Sequence, residues 1–129
     1  MAVSSVAVVR AIVSGALPGV PVSQTISDRL QRMVRVDRVG GRRGREVDEA
    51  RILVECFAST ASGAPDGPRA EQDALAVYDA LRLSPGRAWG GGWVADFDGN
   101  SIVDYPDPTQ SKYARWQFTG VLYIMLNQY

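Results

Sequence analysis

The chain has no histidine and a single cysteine, Cys56. Histidine is the commonest general base and a leading metal ligand, and one thiol cannot by itself build a triad or a thiolate metal site. Conventional catalytic constellations are therefore disfavoured, no cofactor or metal is implied, and the chain reads as a non-enzyme. One cysteine also forbids an intrachain disulfide, so a reducing compartment is expected, with Cys56 a small core residue. Lysine is almost absent while arginine, alanine, glycine and valine abound, a usage that a G+C-rich coding sequence produces. Long hydrophobic runs are missing too. The stretch from Val3 to Leu17 is interrupted by Arg10, is shorter than the ~20 residues a bilayer span requires, and lacks the positive leader of a signal peptide. A soluble, unprocessed protein with no membrane partner is the expectation.

Several short motifs fail on their spacing. Asp96-Phe97-Asp98-Gly99-Asn100 opens like a calcium loop, but its glycine stands fourth instead of sixth, and position twelve is Asp107 where a glutamate is needed. Gly40-Gly41-Arg42-Arg43-Gly44-Arg45 and Gly90-Gly91-Gly92 lack the lysine and the serine or threonine of a P-loop and precede no helix, so positive-φ loops explain them better. The acids Asp96, Asp98, Asp104 and Asp107 lie beside turn signals, where solvated carboxylates are ordinary.

What is present is alternation. Val34 and Val36 alternate with Arg35, Asp37 and Arg38, and Ile52, Val54, Cys56 and Ala58 alternate with Leu53, Glu55 and Phe57, the period of two of half-buried strands. Gly40 to Arg45 between them predicts a β-hairpin whose tip carries Arg42, Arg43 and Arg45 into solvent. Before it, a helix over Ser4–Ala16 is capped by Ser4 or Ser5, has Val6, Val9, Ile12 or Val13, and Ala16 on its apolar side, and ends at Leu17-Pro18-Gly19. Val20 to Gln24 is a short extended piece, and Ser27 to Arg32 suits a short turn of helix. After a small-residue loop, a second helix is predicted with Glu71 and Asp73 in its first turn, Ala74, Leu75, Tyr78 and Leu81 as its stripe, Arg82 near its end and Pro85-Gly86 as its stop. Trp93–Phe97 and Ser101–Tyr105 flank Asp98-Gly99-Asn100, a hairpin turn signal. The last strand runs from Lys112 to Leu126. Trp116, Phe118, Leu122, Ile124 and Leu126 share one face, and Val121, Tyr123 and Met125 make the other apolar as well, so that end requires cover on both sides.

At 129 residues the chain is sized for one domain, 1–129, able to bury roughly two-thirds of its unfolded surface. The order of elements predicts an α+β fold: a largely antiparallel β-sheet flanked by two main helices, with a projecting β-hairpin loop. Net charge is zero, yet seven arginines from Arg29 to Arg45 face one acid, Asp37, while Asp96, Asp98, Asp104 and Asp107 follow with no base among them. Such segregation suits a basic surface on one copy meeting an acidic surface on another. It also admits a nucleic-acid-binding module using Arg29 to Arg45, although aromatic stacking residues are absent there.

Leu17-Pro18-Gly19-Val20, Val34 to Gly41, Asp48 to Ala58, Tyr105-Pro106-Asp107-Pro108 and Tyr113 to Phe118, with an alanine-rich helix between, together form a pattern covering nearly all of the chain. It resembles the tail terminator proteins of long-tailed (siphovirus-like) bacteriophages. The triple-arginine loop is a departure from that pattern. The resemblance implies a structural virion protein forming a hexameric ring that caps the head-proximal end of the tail tube, stops tube polymerisation and docks the head connector. Implied partners are copies of itself, the major tail tube protein and the head-tail connector or stopper protein. The resemblance further implies that DNA passes through the lumen without sequence-specific binding and that assembly takes place in the host cytoplasm. The alternative in the same setting is a neck or head-completion (stopper) protein. Inter-ring or inter-subunit contacts are expected at Arg42, Arg43, Arg45, Asp96, Asp98, Asp104, Asp107, Tyr123 and Met125.

Overall fold

A computed structural model describes residues 2–126. In chain order its elements are α1 (Ser5–Ala16), β1 (Val22–Ser23), β2 (Arg32–Gly40), β3 (Val47–Ala58), α2 (Gly67–Arg82), β4 (Arg87–Trp89), β5 (Gly92–Gly99), β6 (Val103–Asp104) and β7 (Ala114–Met125). All strands join one sheet in the order β1-β2-β3-β7-β5-β4, with β6 also on β7; only the β1–β2 pairing is parallel. The expected α+β class, two helices on a mostly antiparallel sheet, is what the chain adopts.

The anticipated hairpin is β2 against β3, with Val34 opposite Cys56 and Val36 opposite Val54. β3 then pairs along its whole length with β7, Ala50 opposite Leu122 and Val54 opposite Phe118. Register puts Val34, Val36, Ala50, Ile52, Val54, Cys56, Phe118, Leu122 and Ile124 on one face, and these residues form the core with α1 and α2. α1 fits its slot because Val8, Val9, Ile12 and Val13, with Ser5, fall at helical spacing, while the Ser4 hydroxyl accepts the Ala7 N–H at 3.2 Å. Val8 takes the buried place expected of Val6, which is only partly buried.

Three local expectations are corrected. α2 starts at Gly67, capped by the Asp66 carboxylate, so Glu71 and Asp73 lie beyond its first turn. Its buried side is Ala70, Asp73, Ala74, Val77 and Leu81, and Leu75 faces outward. Segment 27–31 is a turn without helix. Asp98-Gly99-Asn100 is no hairpin: β5 and β6 follow one another along β7, and the Asn100 N–H donates to Thr119 O at 2.9 Å. Gly99 has no positive φ; a Cβ there would stand 2.5 Å from the Tyr78 hydroxyl, so the glycine makes room for a ring. The tight hairpin is β4–β5 instead, where Gly90 and Gly91 have φ of +53° and +87°, as a two-residue primed turn requires.

Two buried carboxylates tie the layers together. Asp73 on α2, almost wholly buried, accepts both hydrogen bonds of an Arg32 fork at 2.8 and 2.7 Å. Asp48 on β3 takes a fork from Arg38 at 2.7 and 2.9 Å and a third bond from Arg43 at 3.1 Å. Hydrogen bonding to these carboxylates holds the Arg32 and Arg38 guanidiniums above their ordinary pKa. Burial pushes the Cys56 thiol far up, leaving it inert at neutral pH. Removing Arg32 strands the buried Asp73 charge, whereas removing Asp73 frees a guanidinium that water already reaches. Arg32→Ala is expected to destabilise by about 3 kcal/mol or more and Asp73→Ala by about 1–2 kcal/mol; urea denaturation at neutral pH measures the order.

Candidate interaction surface

The face of the sheet turned away from the helices divides into a covered half and a bare half. At the covered end Met33, Phe57 and Tyr113 form a small second core with Ile26 and Leu30 from the 24–31 segment. Next comes a charged layer. Glu55, nearly fully buried, accepts from Arg115 at 2.7 Å and from Arg35, which also reaches Asp37 at 3.3 Å. Arg115 in turn donates to Tyr105 O at 2.6 Å, and its guanidinium carbon lies 5.1 Å from the Tyr105 ring centre and 6.0 Å from that of Phe57. This network clamps the 105–112 loop onto the sheet.

Beyond Glu55 nothing in the described chain covers the face. Register lays out three rows there: Arg51–Val121–Asp98, Glu49–Tyr123–Asp96 and Val47–Met125–Trp93. Leu53, Val121, Tyr123 and Met125 are half-buried, and Trp93 is exposed. An apolar strip therefore runs down β7 with Arg51 on one flank and Asp96 and Asp98 on the other. The need for a second cover on the last strand, read from its alternation, is left unmet at this end by the described residues.

The arginine tip is docked beside this end of the sheet. Gly41 has φ +96°, and a Cβ there would lie 1.9 Å from Glu49 O, so only glycine permits the turn. Arg43 folds back onto Asp48 and onto Val3 O at 3.4 Å, while Arg42 and Arg45 are exposed. The Leu126 N–H donates to Glu46 O at 2.8 Å, joining the tip to the end of the last strand.

The four acids do not share a site. Asp96 accepts the Phe97 N–H at the β5 bulge and Asp98 is exposed, both along the bare strip. Asp104 and Asp107 lie toward the opposite end of β7, since Asp104 pairs with Trp116. Asp107 accepts from the Thr109 N–H at 3.0 Å and hydroxyl at 2.8 Å, and these bonds hold its carboxyl below the usual range. Among the described residues no group of carboxylates could hold a metal ion. No described helix is long and apolar enough to cross a membrane.

The basic run is also dispersed in space. Arg32, Arg35, Arg38 and Arg43 are each paired with a carboxylate inside the chain, so the sequence segregation from 29 to 45 does not yield a continuous free basic patch. Leu53, Arg51 and Trp93 belong to the strip although sequence reasoning did not select them. The signal that would have found them is cross-strand register, which alternation alone does not give.

No family model matches the chain, and no curated protein matches it. Its fold has a counterpart. A chain in the solved structure of the virion of a native gene transfer agent particle superposes with a TM-score of 0.62 at 13% identity, covering 95% of each chain. The likeness is one of fold, end to end.

The Glu55 network makes a measurable statement about the covered half. The Tyr105 N–H donates to Arg115 O at 3.0 Å, so it reports whether the loop is clamped. Glu55→Gln is expected to speed exchange of the Tyr105 amide about tenfold or more, equivalent to about 1.4 kcal/mol of local stability, while core amides of α1 are unchanged; hydrogen exchange read by NMR checks this.

Proposed function

We propose that this protein is a structural component of a phage-type virion and that it acts as the tail terminator. In this reading six copies close a ring on the head-proximal end of the tail tube, stop its growth and present the docking face for the head connector. DNA passes through the lumen, and the protein performs no catalysis. The observation that carries the proposal is the end-to-end correspondence in fold with a chain of a virion particle. The bare apolar strip with charges of both signs supports it, because a chain that works by fitting against other proteins must keep such a surface uncovered until assembly. The family resemblance of the sequence selects the terminator within the virion.

In this role Arg42, Arg43 and Arg45 at the tip touch an adjoining ring or subunit, Tyr123, Met125, Asp96 and Asp98 on the strip meet one neighbour, and Asp104 and Asp107 at the far end of β7 meet another. Exposed ion pairs contribute little each, so these charges steer register more than they supply affinity. The pairing of Arg32, Arg35, Arg38 and Arg43 inside the chain weighs against a nucleic-acid-binding module, for which a free basic patch would be needed.

Deleting the coding sequence from the genome of its particle is the test. Tails longer than normal are expected on electron micrographs. Tails of normal length on heads that leak DNA would instead assign the stopper role, and unaltered particles would overturn a virion function altogether.

A further inference from the structure

Two apolar surfaces are left uncovered by the described residues, and they lie on opposite layers. One is the bare half of the open sheet face, where Trp93 is 39% exposed beside Val121, Tyr123 and Met125. The other is the outer side of α2, where Leu75 is 46% exposed, with the C-cap Leu83 69% exposed just beyond the helix end. Outward leucines are not required by the fold: the side of α2 that packs on the sheet is complete with Ala70, Ala74, Val77 and Leu81.

We propose that these surfaces are the two halves of one contact between copies, in which the open face of one protomer receives the outer side of α2 of the next. The inference rests on the assembly reading above for its setting and names the surface that assembly uses. A helix layer laid on the bare face gives that face the cover its other side already has, so that each sheet lies between two helix layers. The charges match as well. On the strip, Arg51 and Asp98 flank Val121 in one cross-strand row. On α2, Asp79 and Arg82 line the same outer side as Leu75 and pair only with each other, at 3.4 Å and more than 60% exposed. Such an exposed pair is weak and exchanges partners at little cost, so Asp79 can turn to Arg51 and Arg82 to Asp98 of the neighbour. The contact joins unlike patches. It therefore repeats from copy to copy and closes into a ring where the rotation allows, whereas strip against strip would stop at two and leave the α2 leucines bare.

Two variants and their mixture test this by analytical ultracentrifugation. Tyr123→Lys places a charge in the strip between Glu49 and Asp96, which accommodate it in the monomer; Leu75→Lys does the same on α2, one turn from Asp79. Wild-type protein is expected to self-associate, and each variant alone to do so at least about tenfold more weakly with an unchanged thermal melting midpoint. Mixed in equal amounts they retain one intact contact, the strip of the Leu75→Lys copy on α2 of the Tyr123→Lys copy, so a 1:1 dimer and nothing larger is expected. Trp93→Lys takes the place of Tyr123→Lys if the latter lowers the melting midpoint. The proposal is overturned by wild-type protein that stays monomeric up to about 1 mM, by Leu75→Lys associating like wild type, or by a mixture that remains monomeric. Any of these leaves the virion role to the tail-length assay, which is read independently.

Discussion

The pairing of β3 with β7 is the constraint on which the rest of this molecule depends. It joins the hairpin near the start of the chain to the last strand over the full length of both, from Val47 opposite Met125 to Ala58 opposite Ala114. Because side chains alternate along a strand, that single register decides which residues α1 and α2 can cover and which are left on the other side. A slip of β7 by one residue against β3 would turn Val121 and Tyr123 into the core and expose Phe118 and Leu122. The glycine pair Gly99 and Gly120 sits within the same frame, opposite one another, leaving the hollow into which Tyr78 and Phe97 insert their rings.

Buried charge reinforces the frame. Asp48, Glu55 and Asp73 are all nearly inaccessible, and each is held by arginine in geometry that satisfies its oxygens; no buried side-chain polar atom among the described residues lacks a partner. Desolvating a carboxylate opposes folding, and a well-packed apolar residue could stabilise as much. What these pairs add is placement. Asp73 fixes α2 over the start of β2, Asp48 fixes the arginine tip beside the start of α1, and Glu55 fixes the 105–112 loop. With the loop fixed over one half of the open face, the described residues leave the other half bare, and the apolar strip is presented along β7 between β3 and the bulged β5.

The strands and helices that follow from periodicity were legible in the chain: α1 with its Ser4 cap, the β2–β3 alternation, and the long final strand with two apolar faces. Where the sequence misled, a residue had a second use. Gly99 in Asp98-Gly99-Asn100 reads as a turn because that is the local role of glycine, yet it serves ring packing between distant segments. Asp73 reads as a first-turn acid that complements the helix dipole, yet it fills a buried position where Arg32, far off in sequence, meets it.

By itself the sequence determined the class of fold, the absence of a histidine- or thiol-based site, and the excess of apolar side chains at the end of the chain, since these depend only on composition and local period. Tertiary structure alone decided that the arginines of the basic run are mostly neutralised inside the chain. It alone decided that the four aspartates divide between two regions, and that Arg51, Val121 and Asp98 stand in one row. The reason is that a local pattern fixes which way each side chain points along its own strand, while the neighbour it meets is set by register and packing between segments many residues apart.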